Sequence, residues 1–485
     1  MSDLRQRTIH AASWSLLEKV GVLGIGLFIN IILARLLSPT EYGLIGNIAI
    51  FTVIANTFID GGFASALIQK QNTNDNDYTT IFVFNLVVAL LLYFVLFACA
   101  PLIAAYFNEP SLNTLLKFVG LLLIFNSLGI IQSTLLTKNL DFKPLSKTAL
   151  ISNTVAGLLA IGLAFLGYGV WSLAWQLVFA MVVKTLLLWY YSTWRPKGKF
   201  KKSSLKDLFG FGSNMLFSSL LESIYQSAFS WIINKRFSLQ SLGFYTQAKK
   251  LQEIPVLILS NVIGGVTFPA LAKIQDDTMK LKFSYKKILQ LQVFVNFPVM
   301  LGLIVMAKPI VAILLTAKWL PSVPYIQLLA LAGMLYTLQT TNLNILKVKG
   351  RSDIFFRLEV AKKIIGIILI FLGLIWGIYG LVASLVLSSY ISFFINSYFS
   401  GRLIHYPVKE QLMDLLPYLF ASIVMAALSY GLKFFLPFGD VGMLICQGTM
   451  ALVSYILISL WLKLSAVAEL KLIVDSFINK PGDEK

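Results

Sequence analysis

Only two cysteines and two histidines occur in the 485 residues. Cys99 and Cys446 each lie inside an apolar run, which excludes a disulfide framework and gives no thiolate metal site. His10 and His405 flank apolar runs rather than interrupt them, so no metal and no cofactor is expected. No Walker A loop is present, which excludes direct drive by ATP. No HExxH or GxSxG motif appears, and no large outer loop carries the charged catalytic residues that a membrane-bound glycosyl polymerase would need. Charge itself is scarce: Asp, Glu, Lys and Arg make up 13% of the chain, against about 25% in an ordinary soluble domain.

Apolar residues fill the space that charge leaves. They form 57% of the sequence, and the mean hydropathy is +0.79. A soluble chain of this composition would have nowhere to bury its apolar surface, so the sequence reads as an all-α polytopic membrane protein. A helix crosses the hydrocarbon with about 20 apolar residues, and on that measure about fourteen spans are expected. The first is too long for a signal-peptide core and is followed by the others, so it reads as retained. A polar stretch, Ser192 to Asp207, separates the chain into two halves.

Of the 40 basic residues, most fall on one side of this scheme: both tails, the loop with Lys138, Lys143 and Lys147, and the run Arg195 to Lys206. The loops with Lys273 to Lys287 and Lys347 to Lys363 join them, whereas the tight turns Gly167–Gly169 and Gly377–Gly380 carry none. Lysine and arginine in short loops mark the cytoplasmic side, so both termini are expected there. Most of the net charge of +18 is then topology, and no nucleic-acid partner is implied.

The first helical hairpin is echoed about 200 residues later. Its turn reads Ser38-Pro39-Thr40-Glu41-Tyr42-Gly43; at that offset Ser38 meets Ser238, Gly43 meets Gly243, and Arg35 meets Lys235 with Arg236 beside it. Slipped by a few residues, Gly61-Gly62 meets Gly264-Gly265. Such a repeat predicts two bundles built on one plan.

An ionisable side chain within a span costs at least about 2.5–3.5 kcal/mol on insertion scales, so each is a candidate functional group. Glu222 sits midway along the seventh span, and Ser219, Ser223, Gln226 and Ser230 share its face at helical spacing. A polar stripe of this kind suits a cavity wall whose carboxylate takes up a proton or a cation; it equally suits a glutamate bonded to a neighbouring helix. Glu18 and Asp60, in the cytoplasmic thirds of spans one and two, are the further coupling-ion candidates. Lys184 in span six faces the same cavity or snorkels to the headgroups. Arg35, Lys235 and Arg236 stand on the side where positive charge is scarce and form a candidate basic pair for phosphate or carboxylate. Gln339 and Asn342, in a polar cluster of the tenth span, suit sugar hydroxyls or helix–helix hydrogen bonds.

Four segments carry a family resemblance: ARLLSPTEYGLIG, DGGFASALIQKQ, FSLQSLGFYTQAKKLQEIP and LLTAKWLPSVPYIQLLA. In this order among fourteen spans they resemble the oligosaccharide flippases of the polysaccharide transporter family, the Wzx/WzxC-like exporters of the multidrug/oligosaccharidyl-lipid/polysaccharide (MOP) superfamily. The resemblance runs from about Thr8 to Leu464. It implies two pseudo-symmetric six-helix lobes, 1–200 and 201–404, then two C-terminal helices and a cytoplasmic tail over 405–485. It also implies alternating access about a cationic central cavity in the bacterial inner membrane. The implied substrate is an oligosaccharide on polyprenyl pyrophosphate, moved between leaflets with a proton or sodium gradient and passed to polysaccharide polymerase machinery. The related lipid II flippases begin their first helix with arginines; VGVLGIGLFI stands there in this chain, which counts against a peptidoglycan precursor. A cation-coupled multidrug antiporter of the same superfamily is the alternative, ahead of a membrane enzyme acting on lipid-linked sugars.

Overall fold

In hydrocarbon every backbone N–H and C=O must be satisfied within the segment, and a helix does so alone. The computed structural model describes residues 2–60, 62–70 and 72–469 and contains no strand among them. Gly61 of the first Gly-Gly pair lies outside the described residues. The helices are α1 (Ser2–Leu36), α2 (Pro39–Asp60), α3 (Phe63–Gln69), α4 (Asp75–Phe107), α5 (Ser111–Val119), α6 (Leu121–Lys138), α7 (Phe142–Phe165) and α8 (Val170–Tyr191). They continue with α9 (Lys202–Arg236), α10 (Leu239–Ala272), α11 (Thr278–Leu314), α12 (Val323–Val348), α13 (Ser352–Leu374), α14 (Gly377–Leu403), α15 (Val408–Phe435) and α16 (Asp440–Trp461). Eleven segments are long and apolar enough to cross a membrane, with α2–α3 and α5–α6 each forming one. The membrane-length helices α9, α10 and α13 bring the number to fourteen. The chain is a multi-pass membrane protein.

The chain divides into two compact units, Met1–Thr246 and Gln247–Lys485. In the first, α1 packs on α7, α7 on α8, and α8 on α6. The helices α2, α3 and α4 pack on α9, which ties α9 and the opening of α10 to this unit. Its two hairpin turns interlock. A methyl group added to Gly43 would collide with the carbonyl of Leu239, and one added to Gly243 would collide with the carbonyl of Pro39. Leu239 is the repeat mate of Pro39, so the contact is reciprocal. Each turn is also closed the same way: Glu41 N–H donates to Ser38 Oγ at 3.4 Å, and Ser241 N–H donates to Ser238 Oγ at 3.0 Å.

Near the other ends of these helices, α4 opens with a capping box in which Asn74 Oδ1 accepts from Asp77 N–H at 3.0 Å. Asp77 is buried and pairs with Lys70 at 2.9 Å. The Lys138 ammonium, at the end of α6, donates to the carbonyls of Leu67 and Lys70 and to Thr73 Oγ1, at 2.9, 2.7 and 2.9 Å. One side chain thus closes the C-terminal end of α3, where free carbonyls favour a cation.

In the second unit α11 packs on α12, α15 and α16, and α14 on α12 and α13. A core of buried residues that includes Tyr285, Val293, Met300, Phe393 and Tyr418 runs between them. Lys282 pairs with Glu410 at 2.8 Å, Lys286 with Asp414 at 2.7 Å, and Lys287 with Glu469, so three successive cations of α11 reach the C-terminal segment. Tyr406 donates to Asp414 Oδ2 at 2.6 Å; burial and that carboxylate push its phenol far above the ordinary tyrosine range.

Candidate functional site

Inside the first unit, α1, α6, α7 and α8 leave a cavity of about 400 Å³ between them. Its position follows from how tightly these helices close on either side. Gly157 of α7 has no room for a side chain beneath Ile29 of α1, and Gly129 of α6 admits Leu188 and Thr185 of α8. Thr185 Oγ1 donates to the Phe125 carbonyl at 2.7 Å and Trp189 Nε1 to the Leu128 carbonyl at 2.8 Å, which fixes the turn of α8 that carries Lys184.

The lining is mixed: Phe142, Leu145, Ala149 and Leu188 are apolar, and the other side chains bring polar groups into an otherwise apolar bundle. Glu18 and Lys19 come from α1, Ser133 and Thr137 from α6, Thr148, Ser152 and Asn153 from α7, and Lys184 from α8. Ser133/Thr137 and Thr148/Ser152 are each separated by one helical turn, which puts each pair on one face. Ser146 Oγ lies 2.8 Å from the Phe142 carbonyl and 2.9 Å from the Trp14 carbonyl, with Glu18 Oε2 farther off at 3.4 Å. Thr148 is 1% exposed, and its hydroxyl has no hydrogen-bond partner among the described residues. A buried hydroxyl without a partner costs about 1–3 kcal/mol.

Lys184 lies within electrostatic reach of two carboxylates, Glu18 and Asp60. Asp60 ends α2 and shares a hydrogen bond with Asn126, which in turn donates to Asn56 Oδ1 at 2.9 Å. Three of the candidate residues, Glu18, Asp60 and Lys184, are therefore brought into one electrostatic group.

The others lie elsewhere. Glu222 stands on an exposed face of α9, where Gln226 Nε2 donates to its Oε1 at 2.8 Å. Ser223 of the same stripe lies 2.8 Å from Thr57 Oγ1 of α2. Lys235 donates to the Tyr106 carbonyl at 2.6 Å and stands 3.8 Å above its ring, which itself stacks on Trp231. Arg35 and Arg236 are exposed at the helix ends whose turns interlock.

Asn342 belongs to the second unit and is fully buried. Its Nδ2 donates to Ser397 Oγ at 3.0 Å, and its Oδ1 accepts from Ser400 Oγ at 2.8 Å and from the Tyr285 hydroxyl. Gln339 Nε2 donates to Ser389 Oγ at 2.7 Å and to its carbonyl at 3.0 Å. Both amides thus join helices α12 and α14.

A family model described as polysaccharide biosynthesis protein matches residues 32–324, which is more than half of the chain. The chain belongs to that family. Lipopolysaccharide biosynthesis protein WzxC of Escherichia coli K12 is 29% identical over 377 residues, covering 76% of each chain. Succinoglycan biosynthesis transport protein ExoT of Rhizobium meliloti 1021 is 28% identical over 344 residues, 71% of this chain and 69% of ExoT. Among solved structures, the lipid II flippase MurJ in an inward closed conformation superposes with a TM-score of 0.77 at 16% identity. It covers 94% of this chain and 99% of MurJ. That likeness shows that this family member shares the fold of MurJ.

Two signals for the cavity hydroxyls were present in the sequence. The hydroxyls of Ser133/Thr137 and Thr148/Ser152 recur at four-residue steps, but serine and threonine are common in membrane helices, where they also bond back to their own carbonyls. Periodicity alone does not separate the two uses.

Proposed function

We propose that the chain is a flippase that moves an oligosaccharide on polyprenyl pyrophosphate from the inner to the outer leaflet of the bacterial inner membrane, for surface polysaccharide assembly. The observation that carries this reading is the polar cavity of the first unit, lined by hydroxyls, an amide, Glu18 and Lys184 within a bundle built for lipid. Hydroxyls and amides that both donate and accept match the hydroxyls of a sugar. The names of WzxC and ExoT, as lipopolysaccharide biosynthesis and succinoglycan transport proteins, support the same class of cargo.

In this reading the lobes are 1–200 and 201–404, with 405–485 added to the second, and transport proceeds by alternating access. The termini and the basic loops face the cytoplasm, in keeping with the distribution of lysine and arginine. Glu18 and Asp60 are the coupling acids, and Glu222 is a second station. A proton serves this site better than sodium, because the Lys184 ammonium already stands near both carboxylates and opposes a second fixed cation. Arg35 and Arg236 offset the pyrophosphate charge, and a polymerase receives the unit outside.

The test is leaflet-resolved transport of polyprenyl-pyrophosphate oligosaccharide in vesicles containing the purified protein. The wild type should equilibrate the lipid between leaflets, faster with an imposed pH gradient, and Glu18→Gln should abolish the gradient response at normal protein abundance. Vesicles in which the lipid-linked sugar stays in its original leaflet, while small organic cations cross, would replace this reading with an antiporter.

A further inference from the structure

The run from Arg195 to Lys206, between α8 and α9, has the composition of a flexible basic linker, yet its backbone is fixed. Gly198 N–H donates to Thr79 Oγ1 at 3.1 Å, Lys199 N–H to Asn76 Oδ1 at 2.8 Å, and Lys201 N–H to Thr80 Oγ1 at 3.0 Å. All three acceptors belong to the opening turns of α4. Gly198 lies flat on that turn, where a Cβ would meet the Asp75 carbonyl at 2.5 Å. Arg195 is used locally: its guanidinium donates to the Ser192 and Trp189 carbonyls at 2.7 and 2.9 Å and closes the end of α8.

The lysines that follow have no such local use among the described residues. Lys197, Lys199, Lys201, Lys202 and Lys206 are exposed, and among the described residues none of them has an ion pair or a side-chain hydrogen bond. Several other loop lysines with the same topological assignment are engaged, while Lys147 and Lys273 are exposed like the strip. Lys70, Lys282, Lys286 and Lys287 pair with carboxylates, and Lys138 is bonded to two carbonyls and a hydroxyl. A preference for positive charge on one side of the membrane accounts for the sign of these residues. It does not account for a pinned backbone or for five ammonium groups left together without counter-ions.

Aromatic rings mark the level at which the strip lies. Tyr190 is 79% exposed and Phe200 46% exposed, while Trp189 and Trp194 pack edge-on against Phe82. Tyrosine and tryptophan gather where hydrocarbon meets headgroups. The charged partner within reach at that depth is the phosphate layer of the membrane itself.

We propose that the strip Lys197–Lys206, held on α4 by Thr79, Thr80 and Asn76, is a binding site for anionic phospholipid headgroups of the leaflet facing the basic loops. The assignment of that leaflet as cytoplasmic rests on the orientation given above; the site itself does not depend on the transport activity. Clustered lysines at a membrane surface each contribute about a five-fold gain in affinity for anionic lipid.

The experiment is lipid retention by the purified full-length protein in detergent with a mixture of phosphatidylglycerol and phosphatidylcholine, read by native mass spectrometry. Wild type should retain phosphatidylglycerol preferentially. The variant Lys197→Gln/Lys199→Gln/Lys201→Gln should lose at least ten-fold of that preference, with an unchanged melting temperature. Thr79→Val/Thr80→Val keeps every charge and releases the backbone, and should lose a measurable part of it. Equal retention of the two lipids by the wild type, or full preference in the triple variant, overturns the proposal. Full preference in Thr79→Val/Thr80→Val also overturns it, since loop charge without a built site would then suffice. Loss of polyprenyl pyrophosphate retention in the triple variant with phosphatidylglycerol unaffected would make the substrate the occupant and overturn it likewise. Because no arm reads transport, failure of the flippase reading leaves this outcome standing or falling on its own.

Discussion

Gly43 and Gly243 occupy the same position in two copies of one hairpin, and each lies against the backbone that precedes the other. The Leu239 carbonyl fills the place of a side chain at Gly43, and the Pro39 carbonyl does so at Gly243. Backbone has little freedom to withdraw, unlike the end of a flexible side chain. Gly43→Ala and Gly243→Ala should each destabilise the protein by about 1–3 kcal/mol or more, seen as a lowered melting temperature in detergent. Gly24 has open space around it, and Gly24→Ala should be neutral or should stabilise by up to about 1 kcal/mol through helix propensity. Equal effects at the three positions would remove the interlock.

The hydroxyl of Thr148 makes a prediction of opposite sign for stability and transport. Thr148→Val keeps the shape and removes a buried polar atom without a partner. Stability should stay level or rise by about 1 kcal/mol. Flipping of lipid-linked oligosaccharide should slow several-fold if the hydroxyl contacts sugar. A stable variant with full transport would take Thr148 out of the site.

Asn342 lies in the core of the second unit and bonds to three side chains. Asn342→Leu leaves Tyr285, Ser397 and Ser400 without that partner and should cost about 1–3 kcal/mol or more. Transport should fall only as far as folded protein falls. Loss of activity at normal abundance and melting temperature would instead place the amide in contact with substrate.

Lys138 is a strut between α6 and the end of α3. Lys138→Met keeps the aliphatic stem and removes all three hydrogen bonds. The C-terminal end of α3 should then become sensitive to limited proteolysis near Lys70, at a protease concentration that leaves the wild type intact.

The helical plan was legible because membrane spans write themselves as long apolar runs, and the repeat was legible because both turns carry Ser and Gly at the same positions. The offset that pairs Ser38 with Ser238 also pairs the two glycines that touch. The site was legible in part. Glu18, Asp60 and Lys184 stood out as charges in apolar helices, and the fold brings them within reach of one another. Their hydroxyl neighbours did not stand out, since Thr148 and Ser152 look like any small polar residues of a packed helix until the partner across the gap is known. The amide cluster of α12 shows the converse. Gln339 and Asn342 are as polar as a sugar site requires, but their hydrogen bonds run to α14, a fact that depends on which helix lies opposite.

The three cations that α11 extends toward the C-terminal segment bear on how this architecture can be shortened. A chain ending after α14 would keep Lys282, Lys286 and Lys287 while losing Glu410, Asp414 and Glu469. It would also strip the cover from the α11 face that α15 and α16 bury. The last hairpin is therefore not an appendage that can be trimmed to a minimal twelve-span transporter. Any natural twelve-span homologue should show neutral or apolar residues at these three lysine positions, so the α11 sequence alone becomes a marker of how many helices follow it.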